Sequence, residues 1–195
     1  MTKGRGNLAV MSQGGRRATY EDLLAAPAHL VAEIINGELV TSPRPASRHA
    51  RASSSIGGEL YGPFDRGRGG PGGWIILDEP ELHVLGHVLV PDIAGWRRAR
   101  MPEMPDAKAF ELAPDWTCEV LSPSTAKIDR VDKVPIYAQA GVSHVWLVDP
   151  VLQTLEALRL ESGGYRLIET WQGSAKARIE PFDAIELELS ALWSR

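Results

Sequence analysis

Asp115-Trp116-Thr117-Cys118-Glu119-Val120-Leu121-Ser122-Pro123-Ser124-Thr125 is the stretch whose reading decides the fold. A charged segment carrying Lys133 follows it, then Tyr137 to Gly141 and Ser143 to Pro150. Two short apolar runs, Trp116 to Leu121 and Val145 to Val148, therefore flank a helix-sized segment that ends at Ala140-Gly141. That is the pattern of a strand, a crossover helix and a parallel strand. A parallel strand covered on both faces should be apolar throughout. Trp116 to Leu121 is nearly so, with Glu119 the exception. Burying a lone carboxylate costs several kcal/mol unless a cation or strong donors meet it. A metal ion is the partner expected for Glu119.

Further strands extend this unit on both sides. Upstream, Trp74 to Leu77, Leu82 to Leu85 and Val88 to Val90 read as strands, the last two turning at Gly86-His87, and Pro91-Asp92 leads into Ile93 to Trp96. Val31 to Ile35 and Glu38 to Val40 flank Asn36-Gly37, the dipeptide whose positive φ angles a two-residue hairpin turn demands. Ala46 to about Tyr61 reads as a helix weakened by Gly57-Gly58, and Thr19 to Leu24 as a short capped helix stopped by Pro27. Downstream, Thr154 to Leu160 and Tyr165 to Trp171 form a second hairpin, and Glu186 to Trp193 reads as a short helix. Residues 1–17, with four glycines and no periodicity, read as a flexible tail. Gly67 to Gly73 lacks the lysine and Ser/Thr of a phosphate-cradling loop. The fold class is α/β (α+β): a mixed sheet with a few helices, an N-terminal and a C-terminal hairpin, and no repeat or second domain.

At 195 residues the chain suits a single domain with a substantial core. It has no apolar run of membrane-spanning length and no apolar leader, so no membrane partner is expected. One cysteine, Cys118, excludes an intrachain disulfide and fits a reducing cytoplasm. A net charge of −4 argues against a general nucleic-acid binder. The basic residues are nevertheless clustered, as at Arg44, Arg48 and Arg51, where they could hold phosphates beside an acidic site.

Three acids lie in or at the ends of apolar strands: Glu33, Asp92 and Glu119. Asp92 and Glu119 stand 27 positions apart on strands read as neighbours, so their side chains could converge on one ion. Mg²⁺ takes oxygen ligands and keeps several waters, so two carboxylates and a carbonyl suffice to hold it. Such an ion acidifies water and stabilises phosphoryl charge, and Lys133 could orient the attacking water.

Pro91-Asp92, Glu119 to Thr125, Asp129 with Lys133, Tyr137, Ala140-Gly141-Val142 and Trp146 to Pro150 resemble the Uma-two family of the PD-(D/E)XK, or restriction-endonuclease-like, nuclease superfamily. Glu33 to Val40, Ser42-Pro43 and His49 match its N-terminal half. The resemblance spans roughly residues 19–193. It implies a restriction-endonuclease-like central mixed β-sheet flanked by helices over residues 18–195, and a Mg²⁺-dependent site, with Mn²⁺ able to substitute. It further implies DNA as substrate and frequently a homodimer. Carried over by position, Asp92, Glu119 and the Val120 carbonyl would hold the metal. Glu33 would touch metal-bound water. Apart from the resemblance, Arg44, Arg48 and His49 are the candidates to face substrate. The superfamily's lysine usually lies two residues after the second acid; here Leu121 stands there, and Lys133 on the following helix takes the role.

Pro135 departs from that pattern. A helix starting near Asp132 tolerates it in its first turn, whereas a start near Asp129 puts a kink beside Lys133. Two other readings share the same residues. One is a catalytically silent dimeric binding or scaffold module, in which Glu119 pairs with a buried cation, Lys133 pairs with Asp129, and Asp92 caps a turn. The other is a hydrolase of a small phosphoester. Cys118 should face away from Glu119, and Trp96, Trp116 and Trp146 are expected in the core.

Overall fold

The computed structural model describes residues 16–194, so the tail expected over residues 1–17 lies outside the described residues except for Arg16 and Arg17. The decisive stretch forms β7 (Trp116–Val120), all five residues of which are buried. It pairs in parallel with β8 (His144–Asp149), from Trp116 opposite His144 to Val120 opposite Val148. These two are the middle strands of a six-stranded sheet, order β10-β9-β8-β7-β6-β3. The outer members are β3 (Trp74–Asp78), β6 (Ile93–Arg97), β9 (Thr154–Glu161) and β10 (Gly164–Gln172). Every other pairing is antiparallel, so the sheet is mixed, as expected.

The two hairpins part company. β9 and β10 extend the central sheet through a turn at Ser162-Gly163. β1 (Leu30–Ile35) and β2 (Glu38–Pro43) instead join β4 (Leu82–Val84) and β5 (His87–Leu89) in a separate four-stranded sheet, order β2-β1-β5-β4. Asn36 and Gly37 take φ of 55° and 81°, the two positive angles their sequence promised. The β4–β5 turn falls on Leu85-Gly86 rather than Gly86-His87: Gly86 takes the second positive-φ position and His87 opens β5.

Side chains alternate along β7. Trp116, Cys118 and Val120 face one core, so Cys118 points away from Glu119 as expected. There Phe182 sits with its ring 4.8 Å from both Trp74 and Trp116 and 5.6 Å from Trp146. Gly95 of β6 admits those rings, because a Cβ there would lie 3.2 Å from both Trp74 and Trp116. This face is closed by Ala52, Ile56 and Leu60 of α2 (Ser47–Leu60), which continues through Gly57-Gly58 without a break. The opposite face carries Trp96, Leu121, Val145 and Leu147 against the second sheet's Ile35 and Leu89. All three tryptophans expected in the core are fully buried.

Both terminal helices are short. α1 (Tyr20–Leu24) is closed by a reciprocal cap between Thr19 and Asp22. The helix expected over Glu186 to Trp193 shrinks to α4 (Ser190–Trp193). Leu187–Glu188 instead forms β12, paired with β11 (Lys176–Ala177). The spacing explains this: buried Leu187 and Leu189 alternate as a strand requires, and the helical spacing begins only with Leu192.

Candidate active site

The segment after β7 is helical from Ala126 to Gln139, with Ile128–Lys133 opened into a π-helical turn before α3 (Val134–Gln139). The helix thus begins upstream of both starts considered from sequence, and a widening at Lys133 replaces a sharp kink. Pro135 lacks an N–H and its ring crowds the carbonyl four residues back, a clash the wider turn relieves. Asp129, Lys133 and Tyr137, spaced by four, are all buried in consequence on one side of this helix.

Lys133 is the hub. Its Nζ lies 2.9 Å from Glu119 Oε1, 3.1 Å from Glu33 Oε1 and 3.7 Å from Asp129 Oδ1, and donates to the Val90 carbonyl at 3.2 Å. The Tyr137 hydroxyl donates to Glu119 Oε1 at 2.5 Å. Glu33, on β1, accepts the Val90 N–H at 2.7 Å, which ties the second sheet to the segment entering β6. Two residues on, Asp92 accepts the Val120 N–H at 2.7 Å through Oδ2, fixing it beside Glu119. Its other oxygen meets His49 Nε2 of α2 at 3.1 Å. Both carboxylates thus line one cavity of about 270 Å³ at the end of the central sheet, with Glu33, Asp129 and Lys133.

Charge and burial compete here. Burial pushes the Glu119 carboxyl well above its ordinary range, Lys133 opposing. Burial alone would lower the Lys133 ammonium, but Glu119 and Glu33 hold it above the ordinary lysine value, so it stays charged. Asp129 is raised by burial to about 6, again against the pull of Lys133. Burial and Glu119 together raise the Tyr137 phenol, which remains a donor. Burial would lower His49, but the hydrogen bond it donates to Asp92 and the charge of that carboxylate raise it above the ordinary histidine value. The burial of Glu119 is thus met within the chain by Lys133 and Tyr137, and a metal is not needed to explain it.

A divalent cation nevertheless suits these donors. Five carboxylates, Glu33, Glu79, Asp92, Glu119 and Asp129, line the cavity with Arg44, Lys133 and His49 as its basic groups, so acidic side chains outnumber basic ones. Among the described residues no three His, Cys, Asp or Glu side chains form a ready-made metal cage. Two carboxylates on an open cavity are what an ion that retains several waters requires.

Of the residues singled out in the sequence, Glu33, Asp92, Glu119, Lys133, Arg44 and His49 line this cavity. Arg44 stands at its rim, 3.8 Å from Glu79. Arg48 lines a different cavity, and Val120 contributes its N–H to Asp92 rather than lining the site. Sequence reasoning assigned Tyr137 no role at Glu119 and cast Asp129 only as a pairing partner. Their spacing of four around Lys133 was the available signal.

A family model, Uma2, described as a putative restriction endonuclease, matches residues 17–191. The structure is similar to that of a putative nuclease belonging to DUF820 from Anabaena variabilis, with a TM-score of 0.72 and 24% identity, over 90% of this chain and 97% of that one. That likeness bears on the fold: a large mixed sheet flanked by helices. No curated protein matches the sequence.

Proposed function

The chain belongs to the Uma2 family, and on that premise we propose that it is a Mg²⁺-dependent endonuclease that hydrolyses DNA phosphodiester bonds. The observation that carries the proposal is the hydrogen bond from the Val120 N–H to Asp92, which holds Asp92 beside Glu119 over a cavity rich in negative charge. Asp92 and Glu119 would hold the cation, with waters completing its shell and Mn²⁺ able to replace Mg²⁺. When bound, such an ion supplies a more acidic water and polarises a phosphoryl oxygen.

The chain's own residues supply the rest. Lys133, held cationic by Glu119 and Glu33, cannot accept a proton. It acts as a donor that orients the attacking water and offsets charge building on phosphorus. Glu33 fixes Lys133 and accepts a hydrogen bond from that water. His49 and the Val120 N–H hold the two Asp92 oxygens. Arg44 at the rim meets the entering phosphate. A homodimer in the cytoplasm completes the proposal. Among the described residues no helix is long and apolar enough to cross a membrane.

A second reading, a silent scaffold module, is favoured by one observation: Glu119 is already paired with Lys133 and Tyr137. A plasmid-nicking assay with Mg²⁺ or Mn²⁺ separates the two. Nicking lost in Asp92→Asn and Glu119→Gln supports the enzyme. An inactive wild type whose melting temperature ignores both ions supports the scaffold.

A further inference from the structure

A second, larger cavity of about 570 Å³ opens where α2 begins, β8 ends and α4 closes the described chain. Its charge pattern reverses that of the carboxylate cavity. Arg48 and Arg51 line it, and among the described residues none that lines it is acidic. Among the described residues no carboxylate forms an ion pair with either arginine; Arg51 donates only to the Ser194 hydroxyl, at 2.8 Å. The remaining wall is largely apolar, with Pro150, Leu192 and Trp193. The Trp193 indole N–H is held by the Gly173 carbonyl at 2.8 Å, which fixes the ring in that wall.

Two elements run from the site to the groove. Arg48 immediately precedes His49, so the first turn of α2 lines the carboxylate cavity with one residue and the groove with its neighbour. Val120 and Val148 are paired in parallel, so the end of β7 carries the site and the adjacent end of β8 leads into the groove at Pro150. Ligands of open sheets with parallel strands collect outside such carboxyl ends.

We propose that this groove holds the DNA strand next to the scissile bond, with Arg48 and Arg51 on its phosphates and one unpaired base against Trp193. The inference rests on the endonuclease reading and assigns that substrate a path. Two arginines without acidic partners favour phosphates over an acid-free peptide, and an aromatic wall beside them is how single strands are held without sequence readout.

The test is a titration with a single-stranded thymidine decamer without divalent cation, following tryptophan fluorescence and, with a labelled decamer, anisotropy. Wild type, Arg48→Ala/Arg51→Ala and Trp193→Leu are compared, with circular dichroism to confirm folding. Expected are quenching in wild type, its loss in Trp193→Leu, and at least tenfold weaker binding by the arginine variant. The salt slope should be shallower in the arginine variant by about 1.4, for two lost phosphate contacts. Quenching and binding without Mg²⁺-dependent nicking would keep the groove and discard the nuclease. Nicking by the arginine variant with an unchanged KM would discard the groove and keep the nuclease. Absent quenching in wild type, or equal quenching by a duplex, overturns the proposal.

Discussion

On one face of β7, Trp116, Cys118 and Val120 are sealed by Phe182, Trp74 and Trp146. On the other, Glu119 is equally inaccessible yet lies against Lys133 and Tyr137, with Glu33 and Asp129 around the same lysine. The aromatic face gains free energy from every apolar area it hides. The ionic face must offset the desolvation of each charge by pairing, and buried ion pairs seldom return more than well-packed apolar residues would. One face therefore accounts for stability. The other is best explained by chemistry.

The largest expected effect breaks the first half of that contrast. Phe182→Ala removes the ring on which four aromatic neighbours converge. It should cost about 3–5 kcal/mol in urea unfolding. A loss under about 1 kcal/mol would mean that the aromatic face is not the source of stability.

Lys133→Ala tests the second half. It strands Glu119 and Glu33 without their cation and should cost about 3 kcal/mol. Adding Glu119→Gln should restore much of that loss, because one stranded charge is gone. No rescue in the double variant would show that the lysine acts by packing alone.

The pH dependence sharpens the contrast. Asp129 binds its proton more tightly folded, at about 6, than at its ordinary 3.8. Stability should therefore fall as pH rises from about 4 to about 6 and level off above, by roughly 3 kcal/mol. Asp129→Asn should flatten that stretch of the unfolding curve. Tyr137→Phe is the smallest change: losing one donor to Glu119 should cost about 1–2 kcal/mol. A neutral result would show that Lys133 alone satisfies that carboxylate.

The sequence carried the frame well because local signals specify it. Glu119 in an apolar strand, Asn36-Gly37 in a turn and Cys118 opposite Glu119 follow from alternation and turn chemistry, which any short window contains. Strand partners are a matter of the whole chain, so nothing in Val31 to Val40 says that this hairpin joins β5 in a separate sheet. The same limit hid the division of labour on α2. Arg48 and His49 are adjacent in sequence, but a helix turns about 100° per residue, and they line different cavities. Lys133 could be named but not aimed, because only the packed structure reveals the π-helical turn ahead of Pro135.

The most direct test of a cation on the ionic face of β7 is a calorimetric titration of the wild type with Mg²⁺, beside Asp92→Asn and Glu119→Gln of confirmed fold. The expected result is saturable binding by the wild type that both variants lose. A wild type that takes up no Mg²⁺, or variants that bind it as tightly, would contradict the assignment and leave the cluster a structural network around Lys133.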